Sequence, residues 1–122
     1  MSLDEYFKGI DNTLNNPFVI EADVKKEKKS SNVGLLVGKA VLTDFSQLHF
    51  MEYIELDKKQ PVVTYRYHYQ SPNKELIFRY DNSPHYRNLK TFPHHKHLKD
   101  AVMNSRQKSL SEIIDEIVML LI

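Results

Sequence analysis

From Phe18 to Asp81 the sequence alternates between apolar and polar residues with a period of two, and this pattern constrains the fold more than any other feature. Such alternation is typical of β-strands with one buried and one exposed face. It predicts five strands separated by short polar segments. Because short connections favour hairpins, we expect an antiparallel meander. The predicted strands are Phe18–Lys29, Val33–Thr43, Gln47–Leu56, Val62–Tyr69 and Glu75–Asp81.

Helices are predicted on both sides of the strands. Apolar residues at helical spacing indicate a helix over Leu3–Leu14, which ends because a residue before Pro17 is pushed out of the helical region. Pro93 suits the first turn of a helix, so a second helix is expected from about Pro93 to Asn104. Ser109 and Glu112 form a capping box ahead of an apolar stripe, which predicts a last helix. The expected fold class is α+β, with about five antiparallel strands, an N-terminal helix and C-terminal helices.

Length and composition favour one domain over residues 1–122. The chain is 41% hydrophobic and 27% charged, and no apolar run approaches the ~20 residues of a membrane span. Charged residues near the start exclude the apolar segment of a signal peptide. Because there is no cysteine, disulfides and thiolate chemistry are excluded. We therefore expect a cytoplasmic protein with no membrane association.

Charge is distributed unevenly along the chain, although the net charge is only +1. Between His85 and Lys108 there are six Lys or Arg residues, four histidines and a single acid, Asp100. The residues after Ser109 contain three acids and no base. A locally cationic segment favours a phosphate-bearing partner, although ordinary solvated lysines would give the same pattern.

The two faces of the fourth and fifth predicted strands differ in chemistry. Arg66, His68, Arg79 and Asp81 point to one side and would lie within reach of each other in a hairpin. A solvated face would usually carry Lys, Glu and Thr, whereas Arg and His are better suited to gripping an anion. The opposite face should belong to the core. It holds Val63, Tyr65, Tyr67, Tyr69, Leu76, Phe78 and Tyr80.

A histidine cluster follows in the segment Phe92–His97. Imidazoles exchange protons near neutral pH, so paired histidines are a common choice for acid–base chemistry on phosphodiesters. A metal site is the alternative, with His94 and His97 sharing one ion. No acid lies within the histidine tract and no pair matches the His-Glu-x-x-His zinc pattern. Catalysis or phosphate contact is therefore favoured over metal binding.

Two motifs together, Arg79–His85 and Thr91–His97, followed by an amphipathic helix, resemble the TumE family of prokaryotic toxin components. The order and spacing of the motifs carry the resemblance, which covers roughly residues 34–120. It implies a type II toxin–antitoxin setting, a helix-turn-helix antitoxin as partner and RNA as target. The residues that the family pattern marks are Arg66, His68, Arg79, Asp81, Asn82, His85, His94, His95, Lys96 and His97.

The resulting hypothesis is a metal-independent endoribonuclease. His85 and His95 would act as base and acid in either order, Arg66 and Arg79 would hold phosphate oxygens, and Asp81 would orient a partner. No cofactor and no metal is expected. The catalytic candidates are His85, His95, Asp81, His68 and Arg79. The candidates for phosphate or RNA contact are Arg66, Arg79, Lys96, His94, His97 and Arg87.

Two alternatives remain open. The same cationic surface would suit a binding module for nucleic acid or a partner protein, without catalysis. The histidines would also suit a metal-dependent nuclease. Residues 117–122 are apolar nearly all round, which indicates either deep burial or a contribution to an antitoxin or homodimer interface, and the interface is favoured.

Overall fold

The computed structural model describes residues 1–122 as two helices and seven strands. The strands form one sheet in sequential order, and every neighbouring pair is antiparallel. The predicted α+β class and the antiparallel meander are thus confirmed. No helix has the length and apolar character needed to cross a membrane. The elements are α1 (Leu3–Leu14), β1 (Val19–Lys28), β2 (Val33–Leu42), β3 (Gln47–Glu55), β4 (Val62–Gln70), β5 (Leu76–Asp81), β6 (His95–Leu98), β7 (Ala101–Asn104) and α2 (Leu110–Leu121).

Both helices begin with a capping box. Ser2 caps α1 with Glu5 as its reciprocal partner, and Ser109 caps α2 with Glu112. Each box satisfies backbone N–H groups that the first helical turn leaves without a partner. The start of the last helix is therefore where the sequence predicts it.

The hydrophobic core lies between the two helices and one face of the sheet, which we call the helix side. Tyr65, Tyr67 and Tyr69 of β4 are buried there, as their alternation predicts. The apolar stripe of α2 is buried up to Ile117, and Val118 and Leu121 are half-buried against the core, whereas Met119 and Leu120 are exposed. The opposite face of the sheet, which we call the outer face, carries no helix.

The helix expected from about Pro93 to Asn104 is wrong. This segment forms β6 and β7, a hairpin that turns at Lys99 and Asp100. The segment has no apolar stripe at helical spacing, so its helix preference is weak and pairing decides its structure. The edge of β5 offers unpaired backbone groups, and β6 pairs with it at Arg79↔His97 and Asp81↔His95.

A buried carboxylate lies at the helix side, away from the histidines. Glu52 is 1% exposed and forms no ion pair. Its two oxygens accept hydrogen bonds from the Tyr6 and Tyr67 hydroxyls. Burial raises the pKa of Glu52 above its usual range, although the two hydroxyl donors partly oppose this.

Glu52→Gln should change how the stability of the fold depends on pH. A carboxyl whose pKa is higher in the folded state takes up a proton on folding, so the wild type loses stability as the pH rises above 4.5. The glutamine variant lacks this titration. We expect the melting temperature of Glu52→Gln, relative to wild type, to rise between pH 4 and pH 7 in thermal unfolding followed by circular dichroism. Glu55→Gln, on the same strand but partly exposed, is the control, and parallel pH profiles for wild type and Glu52→Gln would contradict the expectation.

Candidate functional site

A row of basic side chains crosses the outer face of the sheet. Five consecutive strands each contribute one such residue at the same register, through the pairs Lys39↔His49, His49↔His68, His68↔Arg79 and Arg79↔His97. Strands lie roughly 4.8 Å apart, so the row is roughly 19 Å long. We call these five residues the basic row.

Two neighbouring imidazoles stand in the middle of the basic row. His68 Nε2 lies 3.1 Å from Gln70 Oε1, and His49 Nε2 lies 3.4 Å from Gln47 Oε1. Burial lowers the pKa of His68, and the nearby Arg79 and Arg66 charges add to that effect. Burial also lowers the pKa of His49, together with the charges of Lys39, His68 and Lys74. Both imidazoles are therefore biased toward the neutral form, which can accept a proton.

Arg66 lies beside the basic row on β4. It is exposed and is paired in register with Asp81 of β5. Arg66, His68, Arg79 and Asp81 thus share the outer face, as the hairpin prediction requires. Unlike the exposed Arg66, Asp81 is only 4% exposed, because the loop after β5 covers it.

Asp81 is the centre of a compact group with two histidines of β6, which we call the Asp81 cluster (Asp81, His95 and His97). His95 Nε2 lies 2.9 Å from Asp81 Oδ1, and His97 Nε2 lies 3.4 Å from Asp81 Oδ2. The cross-strand pairing of Asp81 with His95 sets this arrangement, because two-residue alternation then brings His97 to the same face. One ligand-type atom from each of the three residues lies within 4.8 Å of the others.

The loop after β5 covers the Asp81 cluster. The ring of Tyr86 packs edge-on against His95 and His97, with centroid distances of 4.9 and 5.6 Å. Asp81 Oδ1 accepts a hydrogen bond from the backbone N–H of Ser83, which holds the start of the loop. The side chain of His95 is 1% exposed and that of His97 is 14% exposed. Water reaches the cluster mainly from the His97 side.

Arg79 stands at the rim of the Asp81 cluster. Its Nε lies 3.4 Å from Asp81 Oδ2, yet this buried atom makes no hydrogen bond. Its side chain is 35% exposed, so the guanidinium still faces solvent beside His68 and His97. Burial and the Arg79 charge lower the pKa of His97, while Asp81 opposes the shift.

The hydrogen bonds of His95 restrict its protonation. Its Nδ1 lies 2.8 Å from the Pro93 carbonyl oxygen, which can only accept, so Nδ1 carries a proton. In a neutral imidazole the other nitrogen, Nε2, then has a lone pair instead of a proton. That lone pair faces a carboxylate oxygen of Asp81. The contact therefore needs a proton shared between the two atoms, or another cation bound to both.

Two of the expected RNA-contact residues lie on the helix side instead. Lys96 pairs with Glu116 of α2 at 3.3 Å and stands over the Tyr80 ring. His94 Nδ1 lies 2.8 Å from the Tyr65 hydroxyl, and the two rings are stacked. Alternation along β6 explains this, because neighbours of His95 and His97 point to the opposite face. The structure therefore does not bring Lys96 and His94 to the face that carries Arg66 and Arg79.

His85 and Arg87 occupy the exposed loop between β5 and β6. His85 makes a backbone hydrogen bond to Ser83 and no side-chain hydrogen bond. Arg87 stands 5.7 Å from the centroid of the Phe92 ring. The two sequence motifs thus meet through Arg79, Asp81, His95 and His97, whereas His85 lies exposed in the loop that joins β5 to β6.

The sequence interpretation missed two members of the basic row. Lys39 and His49 were not singled out, although each belongs to an alternating strand whose outer positions are visible in the sequence. If the pairing register is assumed for every predicted hairpin, and not only for the fourth and fifth strands, His49 lies beside His68 and Lys39 lies beside His49.

Comparisons with known proteins identify the family. The family described as Toxin TumE matches residues 8–121, which is nearly the whole chain. No curated protein and no solved structure matched. The match includes both motifs that form the Asp81 cluster and all five strands of the basic row. The chain therefore belongs to the TumE family of toxins.

Proposed function

We propose that this protein is an endoribonuclease whose RNA substrate lies along the outer face, and that it serves as the toxin of a toxin–antitoxin pair. The basic row carries the proposal, because five strands each supply one basic side chain at the same register on a face that no helix covers. Such a row suits a phosphodiester backbone, which carries negative charge at regular intervals. Membership of a toxin family supports an activity that a cell must restrain.

The arginines beside His68 supply phosphate contacts. Arg79 of β5 is the cross-strand neighbour of His68, and Arg66 lies two residues from His68 on the same face of β4. A guanidinium presents two parallel N–H donors to phosphate oxygens and stays charged at every physiological pH. Lys39 extends this positive surface beyond His49. A phosphate held by Arg66 and Arg79 would lie next to the His68 imidazole.

Acid–base chemistry at this phosphate requires no metal. One imidazole of the His49 and His68 pair accepts the proton of the ribose 2′-hydroxyl, and the 2′-oxygen forms a bond to phosphorus. The bond from phosphorus to the 5′-oxygen breaks, and the other imidazole gives that oxygen a proton. The bound phosphate favours the protonated form of one imidazole, which supplies the acid. The products are a 2′,3′-cyclic phosphate and a 5′-hydroxyl.

His95 is better suited to a supporting role than to proton exchange with RNA. It is 1% exposed, and both its nitrogens already have partners. We propose that His95 and Asp81 hold β5 and β6 in register, so that Arg79 points along the basic row. His85, exposed on the loop above, stays a candidate for contact with RNA and is tested in the same assay.

His68→Ala tests the proposal most directly. Loss of a general acid or base lowers the rate by roughly 10²–10⁴-fold, and we expect a fall of this size in kcat/KM. The measurement uses purified protein, end-labelled RNA and a chelator, and the 2′,3′-cyclic phosphate is the product scored. Thr64→Ala is the matched control, because Thr64 is an uncharged residue on the same face of the same strand.

Three outcomes are informative. Cleavage by wild type that persists in chelator and collapses in His68→Ala supports the proposal. Binding that weakens steeply with salt but gives no product would overturn it in favour of a binding module. Cleavage that His68→Ala leaves intact and His85→Ala removes would move the acid–base site to the loop.

A partner protein follows from the family. A toxin of this kind acts beside an antitoxin, and we propose a helix-turn-helix protein for that role. Three apolar side chains near the end of α2 are exposed and would be available to such a partner or to a second copy of the chain. They are Met119, Leu120 and Ile122.

A further inference from the structure

We propose that Asp81, His95 and His97 bind one divalent transition-metal ion of the zinc class. The proposal concerns the Asp81 cluster alone and goes beyond the proposed ribonuclease, because binding of the ion requires no RNA. Three observations carry it: the orientation of His95, the distances among the three ligand atoms, and the closed surroundings of the group.

The orientation of His95 presents a lone pair to the cluster. Its Nδ1 donates to the Pro93 carbonyl at 2.8 Å, so the neutral ring turns an unprotonated Nε2 toward Asp81 Oδ1, 2.9 Å away. Two acceptors at this separation repel each other unless a proton or another cation lies between or beside them, and a bound metal ion would take the place of that proton. Metal-binding histidines typically donate their other N–H to a backbone carbonyl or a carboxylate. The Pro93 contact has this form.

The three ligand atoms are already close to the spacing of a coordination site. All lie within 4.8 Å of one another, and His97 Nε2 is 3.4 Å from Asp81 Oδ2. Two ligands at about 2.1 Å from a tetrahedral zinc ion lie about 3.4 Å apart. Small rotations of the two imidazoles and the carboxylate therefore suffice, with no change in the pairing of β5 and β6.

The cluster is largely closed to solvent, and its ligands lie on regular strands. Asp81 and His95 are nearly fully buried, and Tyr86 packs against both imidazoles. The ligands come from two paired strands, which hold them better than a loop could. A buried carboxylate needs a charged or hydrogen-bonded partner, and Arg79 meets that need only in part, since its Nε makes no hydrogen bond.

The ligand set selects the class of ion. Two imidazole nitrogens and one carboxylate oxygen suit Zn²⁺ and its neighbours in the first transition row, whereas Mg²⁺ and Ca²⁺ prefer oxygen alone. Three protein ligands leave a fourth position, and the partly exposed His97 is the side from which water or a phosphate oxygen can reach it. The ion would join β5 to β6, and its ligand Asp81 also holds the loop after β5 through the Ser83 N–H.

The test measures metal binding directly, with no RNA present. The full chain, without a histidine tag, is stripped with chelator and titrated with Co²⁺ in the visible range and with Zn²⁺ by calorimetry. We expect one ion per chain, Co²⁺ absorption typical of a site with nitrogen and oxygen ligands, and a melting temperature that rises with metal concentration. Displacement of Co²⁺ by Zn²⁺ should abolish the absorption.

Variants assign the ligands. His97→Ala should weaken binding at least about 10-fold, and because its side chain is partly exposed, the fold should survive, as circular dichroism will show. Asp81→Asn is the second ligand variant, since asparagine keeps the shape. His94→Ala is the matched control, because His94 adjoins His95 in sequence but bonds Tyr65 on the helix side.

Two results would overturn the proposal. One is the absence of stoichiometric Co²⁺ or Zn²⁺ binding by a folded wild-type chain, with nitrogen NMR showing both nitrogens of His95 protonated. The other is binding that His97→Ala and Asp81→Asn leave unchanged. Either result leaves the ribonuclease assay of His68→Ala unaffected, so the two proposals fail separately.

Discussion

Asp81→Ala is expected to lower the free energy of unfolding by about 3–5 kcal/mol, the usual cost of removing one partner from a buried charge group. The Asp81 carboxylate faces Arg79, His95 and His97 and accepts the N–H of Ser83. Alanine removes all these contacts and leaves the buried Arg79 Nε, the buried His95 imidazole and the Ser83 N–H without the carboxylate. The pairing of β5 with β6 and the start of the covering loop should both weaken.

Chemical denaturation of Asp81→Ala, monitored by circular dichroism, gives the size of this effect. Chelator is included so that metal binding makes no contribution. Asp100→Ala is the control, because Asp100 is an exposed aspartate in the turn between β6 and β7 and should change stability by less than about 0.5 kcal/mol. A loss in Asp81→Ala no larger than in Asp100→Ala would show that the carboxylate does not hold this part of the sheet.

Gly38→Ala is expected to destabilise the protein by about 1–3 kcal/mol through overpacking of the core. Gly38 of β2 is paired with Phe50 of β3, and the Phe50 ring lies over it on the helix side. A Cβ at position 38 would lie 2.3 Å from Phe50 Cζ and 2.6 Å from Cε2. Because Phe50 is 2% exposed, its ring has little room to move.

Two further variants make the Gly38 result specific. Gly9→Ala is the matched control, since a Cβ there meets nothing within 4 Å, and it should stabilise the interior of α1 by roughly 0.5–1 kcal/mol. Replacement of Phe50 by leucine in the Gly38→Ala background should recover part of the loss, because the side chain is smaller. If Gly38→Ala and Gly9→Ala have the same melting temperature, the close approach of the ring does not limit stability.

Local sequence rules predicted the first five strands and the N- and C-terminal helices. The alternation from Phe18 to Asp81, the apolar spacing over Leu3–Leu14 and the capping box at Ser109 are strong signals that require no knowledge of distant contacts. The helix expected from about Pro93 to Asn104 is wrong, because a proline that suits a helix start carries no information about the free edge of β5. Its strands exist because β5 offers them an edge.

The sequence predicted which residues belong to the candidate site better than it predicted how they are arranged. Arg79, Asp81, His95 and His97 were singled out, and the structure brings them together. A helix over this segment would have grouped the histidines by a spacing of three or four residues. The strand instead divides them by alternation, so Lys96 turns to the opposite face.

The sequence by itself determined the family, the α+β class and the chemical character of the outer face, because these depend on residue types and short-range periodicity. Only the tertiary structure decided which histidines are buried, which side of the sheet each one faces, and that Lys39 and His49 continue the line of His68 and Arg79. Strand register is set by pairing between residues far apart in the chain, and a shift of one residue would move every side chain to the other face.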